Sequence, residues 1–217
     1  MGEGVGVGVV GGARLAGALR VLLVTDPCLL QGREWVSVCA AAVRGGATAV
    51  QVRHPSAPAR ELADLTRTLL DALPVPVFVN DRLDVALAVG AAGVHLGAND
   101  VPVALARRIA PEGFLIGASV GTAEQIEGGL GADYWGVGPL HETTTKDAGP
   151  SLGLEGFTSI VAQAGGTPCV AIGGVTPADV PGVVAAGGVG VAVVSGILGT
   201  EDPQAAAALY ARARPAA

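Results

Sequence analysis

Short runs of Val, Ile, Leu and Ala recur along the chain, each ending in polar or glycine residues and followed by an alanine-rich stretch of helical length. The runs fall at 20–26, 48–53, 75–81, 93–97, 114–119, 133–138, 168–174 and 189–196. Such continuous apolar character suits parallel strands covered on both faces better than strands with one wet face. Helices are predicted between and after them, over 33–44, 58–72, 82–90, 102–110, 122–130, 154–164, 177–186 and 203–213. Leu62, Leu65, Leu69 and Leu73 recur at steps of three or four and form one apolar stripe. Thr176 is placed as an N-cap, with Pro177 at the first helical position. This alternation predicts an α/β chain, a single (β/α)8 TIM barrel over residues 20–217, with a doubly wound open sheet as the alternative. No linker divides the chain, and residues 1–19 read as a flexible, glycine-rich N-terminal extension.

Composition narrows this picture. Half of the 217 residues are hydrophobic and 15% are charged, which excludes a generally disordered chain. The 34 glycines follow no collagen period and point to many turns and close approaches. A formal net charge of −6 argues against broad nucleic-acid binding, so an anionic ligand would need a local cationic pocket. Cys28, Cys39 and Cys169 are widely separated and show neither zinc spacing nor a CxxC pair; reduced, mostly buried thiols are expected. No apolar run reaches membrane-span length without interruption, and the N-terminus lacks the basic start of a signal peptide, which makes the cytoplasm the default location. Small residues on the outer helices leave a homo-oligomer open.

In a barrel, polar residues at strand C-termini converge on one rim, where the βα loops build active sites. The positions meeting that condition are Asp26, Gln51, Arg53, Asn80, Asp81, Asp100, Ser119, Thr143, Thr145, Lys146, Gly173, Gly174 and Ser195. Gln51 and Arg53 share one face of their strand. There an amide and a guanidinium can hold a ligand, although Arg53 can equally pair with a neighbouring carboxylate. Asp81 and Asp100 each precede a predicted helix and can cap it; on adjacent loops they can instead share Mg2+. His95 lies inside an apolar strand and is expected to be packed and hydrogen-bonded, not to act as base or ligand. The stretch "GPLHETTTKDAGPSLGLEG" (138–156) puts hydroxyls and Lys146 in a loop of glycines and prolines suited to an anion. "AIGGVTP" and "VVSGILG" follow the last two strands, where barrels frequently bind phosphate through backbone N–H groups.

Taken in order, "VQVRH", "VNDRLDVALAVGAAGVHLG", "IGASV", "ADYWGVGPLHETTTK", "AIGGVTP" and "GVAVVSGI" resemble the thiamine phosphate synthase family over roughly residues 20–210. The resemblance implies a transferase that joins 4-amino-2-methyl-5-hydroxymethylpyrimidine diphosphate to 4-methyl-5-(2-hydroxyethyl)thiazole phosphate and releases pyrophosphate. It implies Mg2+ on Asp81 and Asp100, with Arg53, Ser119 and Lys146 as catalytic residues. Gln51, Asn80 and those three catalytic residues would bind the pyrimidine diphosphate. Thr143, Thr145, Gly174, Ser195 and Gly196 would hold the thiazole phosphate. Small-molecule substrates, and neither nucleic acid nor membrane, are the implied partners. The chain departs from the family pattern at Pro55, where lysine is usual, at Ala98, where glutamine is usual, and at Gly121, where histidine is usual. A thiazole tautomerase-like isomerase and a noncatalytic phosphate-binding relative are the alternatives.

Overall fold

The computed structural model describes residues 12–30, 32–143 and 150–215. Eight parallel strands close into a barrel in sequence order: β1 (Val21–Val24), β2 (Ala49–Val52), β3 (Val77–Asn80), β4 (Gly93–Leu96), β5 (Leu115–Val120), β6 (Tyr134–Val137), β7 (Cys169–Ile172) and β8 (Gly190–Val193). Pairing of β1 with β8 closes the ring and excludes the open-sheet alternative. The helices are α1 (Gly12–Ala18), α2 (Pro27–Leu30), α3 (Trp35–Gly45), α4 (Ala59–Ala72), α5 (Leu83–Val89) and α6 (Val103–Ile109). They continue with α7 (Ile126–Gly129), α8 (Gly153–Ala162), α9 (Val180–Ala185), α10 (Ser195–Leu198) and α11 (Pro203–Ala213).

The strands read as unbroken apolar runs because both faces are covered. Outward residues such as Val50, Val79, Ile116 and Val191 pack against the helices. Inward residues Leu22, Phe78, Leu115, Tyr134 and Val170 fill the barrel. The stripe on α4 behaves as its spacing predicts: Leu62, Leu69 and Leu73 are buried and Leu65 packs beside them. Thr176 caps a 3-10 turn at Pro177–Asp179, and the Asp179 carboxylate accepts from the Thr176 amide (2.8 Å) and hydroxyl (2.7 Å). The predicted helix 122–130 is broken into a 3-10 turn (Ala123–Gln125) and the four-residue α7, as its glycines at 128 and 129 favour.

The flexible extension expected over 1–19 needs correction in its second half. Residues 12–18 form α1, and Leu15 and Leu19, four apart and so on one face, are buried with the inward cluster. The helix covers the N-terminal end of the barrel, and Thr48 Oγ1 donates to the Ala18 carbonyl at 2.9 Å. A Cβ at Gly190 would stand 2.0 Å from the Leu19 carbonyl oxygen, so glycine there lets the chain pass. Residues 1–11 lie outside the described residues. No described helix is long and apolar enough to cross a membrane.

Candidate active site

At the other end of the barrel the inward residues turn polar. Strand register aligns Val24, Gln51 and Phe78 in one inward row, and Asn80, His95, Gly117 and Tyr134 in the next. Ser119 pairs with Gly136 one step further toward the rim. Among buried residues, Gln51 (3% exposed) and His95 (7%) are polar exceptions inside an otherwise apolar wall. They are hydrogen-bonded, as buried polar groups must be. Gln51 bonds the Tyr134 hydroxyl. His95 Nδ1 lies 3.1 Å from Tyr134 Oη, and His95 Nε2 lies 3.0 Å from Ser119 Oγ. His95 is therefore the packed, hydrogen-bonded histidine that its apolar strand predicts.

Arg53 follows β2, and its backbone amide donates to the Thr25 hydroxyl at 2.8 Å, extending the β1–β2 seam beyond the ladder. Its Nη1 meets Asp26 Oδ2 at 2.5 Å, with Asp26 almost fully buried. The carboxylate-pairing reading of Arg53 is thus realised. It does not exclude a ligand, because the remaining guanidinium donors, Nε and Nη2, have no partner among the described residues.

Asp81 closes β3 in the left-handed conformation (φ 63°), uncommon for a residue with a side chain. Its amide donates to the His95 carbonyl at 2.8 Å, which pins it against the end of β4. The N-cap of α5 is Arg82, which makes no side-chain capping bond. Asp100 instead folds its own loop: Oδ2 accepts from the Gly97 amide at 2.7 Å. Pro102 occupies the N-cap of α6, so neither aspartate stands at the N-cap position of the helix after it. Asp100 and Ser119 both line a cavity of about 280 Å³ together with Gly97, Ala98, Glu124 and Gln125. A wider hollow of about 450 Å³, lined by Trp35, His54 and Glu61 among others, takes in none of the predicted rim residues.

The β7 and β8 side is built from backbone. Gly173 and Gly174 both adopt positive φ (87° and 66°). The Gly173 carbonyl accepts from the His141 amide at 2.9 Å, fastening the start of the β6 loop to the end of β7. A Cβ on Gly174 would stand 2.9 Å from that of His141. Gly174 and Ser195 are exposed. Gly196 has a packing role, since a Cβ there would stand 2.1 Å from the Tyr210 hydroxyl, which donates to the Val175 carbonyl at 3.0 Å. Thr143 is half-buried at the edge of the described loop; Thr145 and Lys146 lie outside the described residues.

Sequence reasoning missed three contributors. Tyr134 sits within "ADYWGVG", two before the inward Gly136, so strand alternation alone was the signal available for it. Gln125 Oε1 accepts from the Gly121 amide at 2.6 Å. Arg33 donates to the carbonyls of Leu29 (2.9 Å), Leu30 (3.0 Å), Leu198 and Thr200 (2.8 Å), tying α2 to the C-terminal end of α10. Partners more than 160 positions away leave no local trace of that clamp.

The family described as thiamine monophosphate synthase matches residues 21–197. A thiamine-phosphate synthase of Roseiflexus castenholzii is 45% identical over 192 residues, covering 86% of this chain and 84% of the relative. One from Methanoculleus marisnigri is 48% identical over 191 residues, covering 85% and 90% respectively. Among solved structures, a thiamine phosphate pyrophosphorylase from Pyrococcus furiosus superposes with a TM-score of 0.83 at 38% identity, covering 92% of this chain and 96% of that one. A 3-hexulose-6-phosphate synthase at 19% identity (TM-score 0.70) shares the fold alone. With a family match spanning the barrel and identity near one half to named synthases, the chain belongs to the thiamine monophosphate synthase family of transferases.

Proposed function

We propose that the chain joins 4-amino-2-methyl-5-hydroxymethylpyrimidine diphosphate to 4-methyl-5-(2-hydroxyethyl)thiazole phosphate, giving thiamine phosphate and pyrophosphate. The observation that carries this reading is the polar inward set of Gln51, His95 and Ser119 at the barrel rim, with Arg53, Asp81 and Asp100 beside it. In a dissociative reaction the C–O bond to the diphosphate breaks first, and the thiazole nitrogen then captures the pyrimidine methyl cation. The chain must bind the leaving pyrophosphate, exclude water and align two rings. No side-chain nucleophile is required, and burial pushes the Cys39 and Cys169 thiols up to about 12, which keeps them protonated.

Each group has a definite task. Arg53, held by Asp26, directs its remaining donors at the diphosphate. Ser119 and Gln51 contact the pyrimidine ring, with Asn80 on the neighbouring inward row. By family resemblance Lys146 adds positive charge, and Thr143 and Thr145 join Gly174, Ser195 and Gly196 around the thiazole phosphate. The donor chemistry of Asp81 and Asp100 fits Mg2+: both offer hard carboxylate oxygens from adjacent strand ends, and Asp100 keeps Oδ1 uncommitted among the described residues. Bound there, Mg2+ would supply neutralising charge for the diphosphate oxygens.

One observation opposes the isomerase alternative. A Cβ at Gly121 would stand 2.5 Å from the Gly138 carbonyl oxygen, so the backbone here has no room for the histidine that reading needs. The test mixes full-length protein with both substrates and Mg2+ and follows thiamine phosphate by mass-resolved chromatography, omitting each component in turn. Product that requires all three is expected. Absence of product with active substrates, or product without Mg2+, overturns the corresponding part of the proposal.

A further inference from the structure

Four side chains form one continuous chain of hydrogen bonds across the barrel interior: Gln51 to Tyr134, Tyr134 Oη to His95 Nδ1 at 3.1 Å, and His95 Nε2 to Ser119 Oγ at 3.0 Å. The fold makes space for it with two glycines. A Cβ at Gly117 would stand 2.2 Å from Tyr134 Cζ and 2.6 Å from His95 Nδ1; one at Gly136 would stand 2.9 Å from His95 Cε1. Tyr134 has no exposed surface, so its single hydroxyl proton must be spent inside this chain.

Such a chain can run in two directions, and they present opposite faces to a ligand. If Gln51 donates to Tyr134 Oη, the phenol proton goes to His95 Nδ1, His95 carries its proton on Nε2, and Ser119 Oγ accepts from it. Gln51 Oε1 and the Ser119 hydroxyl proton then remain for the pocket. In the reverse direction, Gln51 would offer its amide N–H groups and Ser119 only oxygen lone pairs. Burial pushes the phenol of Tyr134 up and keeps it a donor in either direction, and one feature favours the first. An aminopyrimidine edge carries an amino donor beside a ring-nitrogen acceptor, the complement of one carbonyl oxygen and one hydroxyl proton.

We propose that His95 and Tyr134 are positioning residues that fix the hydrogen-bonding polarity of the pyrimidine pocket, so that Gln51 presents its carbonyl oxygen and Ser119 its hydroxyl proton. The ligand and the choice between the two directions rest on the function proposed above; the hydrogen-bonded relay itself does not. The direction is read directly from the imidazole tautomer by long-range 15N–1H correlation on the full chain, with the His95 signals assigned from His95→Gln. The expected result is a single Nε2–H tautomer that loses its uniqueness in Tyr134→Phe. In kinetics, Tyr134→Phe raises KM for the pyrimidine diphosphate about tenfold, one hydrogen bond's worth, and leaves KM for the thiazole phosphate unchanged. His95→Gln, which keeps an N–H near Nε2, retains more pyrimidine affinity than His95→Leu. An Nδ1–H tautomer in the unmodified chain overturns the polarity whether or not thiamine phosphate is made. A Tyr134→Phe chain with the same tautomer and both KM values unchanged overturns the positioning role.

Discussion

The two halves of the rim solve recognition by different means. From β2 to β5, side chains face inward and are braced by one another: Arg53 by Asp26, Ser119 by His95, Gln51 by Tyr134. From β7 to β8, the chain offers backbone at Gly173, Gly174 and Ser195, and the surroundings set its course through close contacts with Pro139, His141 and Tyr210. The first half suits a ligand with ring edges to read. The second suits a phosphate, which needs N–H groups and little else.

The largest effect is expected where the braced half has least room. Gly117→Ala drives a methyl into the Tyr134 ring, fully buried and unable to move aside, and should destabilise by about 3 kcal/mol in urea unfolding. Unchanged stability would mean that the relay is loosely packed. Next is Arg53→Ala, which should lower kcat/KM for the pyrimidine diphosphate about 100-fold, the range seen when one charge-stabilising donor is removed. An effect confined to unfolding free energy would make the Asp26 pair purely structural. On the glycine side, Gly174→Ala adds a side chain at positive φ and should cost about 1 kcal/mol while raising KM for the thiazole phosphate alone.

Much of this contrast was legible in the chain. Eight apolar runs and helical spacing at Leu62, Leu65, Leu69 and Leu73 are local patterns, and the barrel follows from them. Polar residues at strand ends located the rim. What the pattern left open was partnership. Arg53 pairs with Asp26 from the loop after β1, 27 positions away, and Arg33 reaches carbonyls far along the chain; neither contact is encoded by spacing. Gly196 looked like a phosphate-cradle glycine, yet its structural demand comes from Tyr210. Leu15 and Leu19 were hidden in a glycine-rich context that suggested flexibility, although their four-residue spacing marks one helix face.

The smallest predicted effect concerns the join between β6 and β7. Asp179 accepts from His141 Nε2 at 2.9 Å and from Thr176. Burial alone would raise its carboxyl, but the hydrogen bonds outweigh burial and hold it below the usual carboxylate range. A depressed folded-state value means that this carboxylate stabilises the fold above about pH 4 and that the contribution fades as acid protonates it. Asp179→Asn should therefore lower Tm at neutral pH by a margin equivalent to less than about 1 kcal/mol, with the difference shrinking on acidification. A gap that stays constant down to low pH contradicts that account.

The division of labour itself is tested most directly by steady-state kinetics of Ser119→Ala and Gly174→Ala side by side, each substrate varied with the other saturating. Ser119→Ala should weaken the pyrimidine diphosphate alone, and Gly174→Ala the thiazole phosphate alone. If either variant weakens both substrates equally, the two halves of the rim do not serve separate ligands.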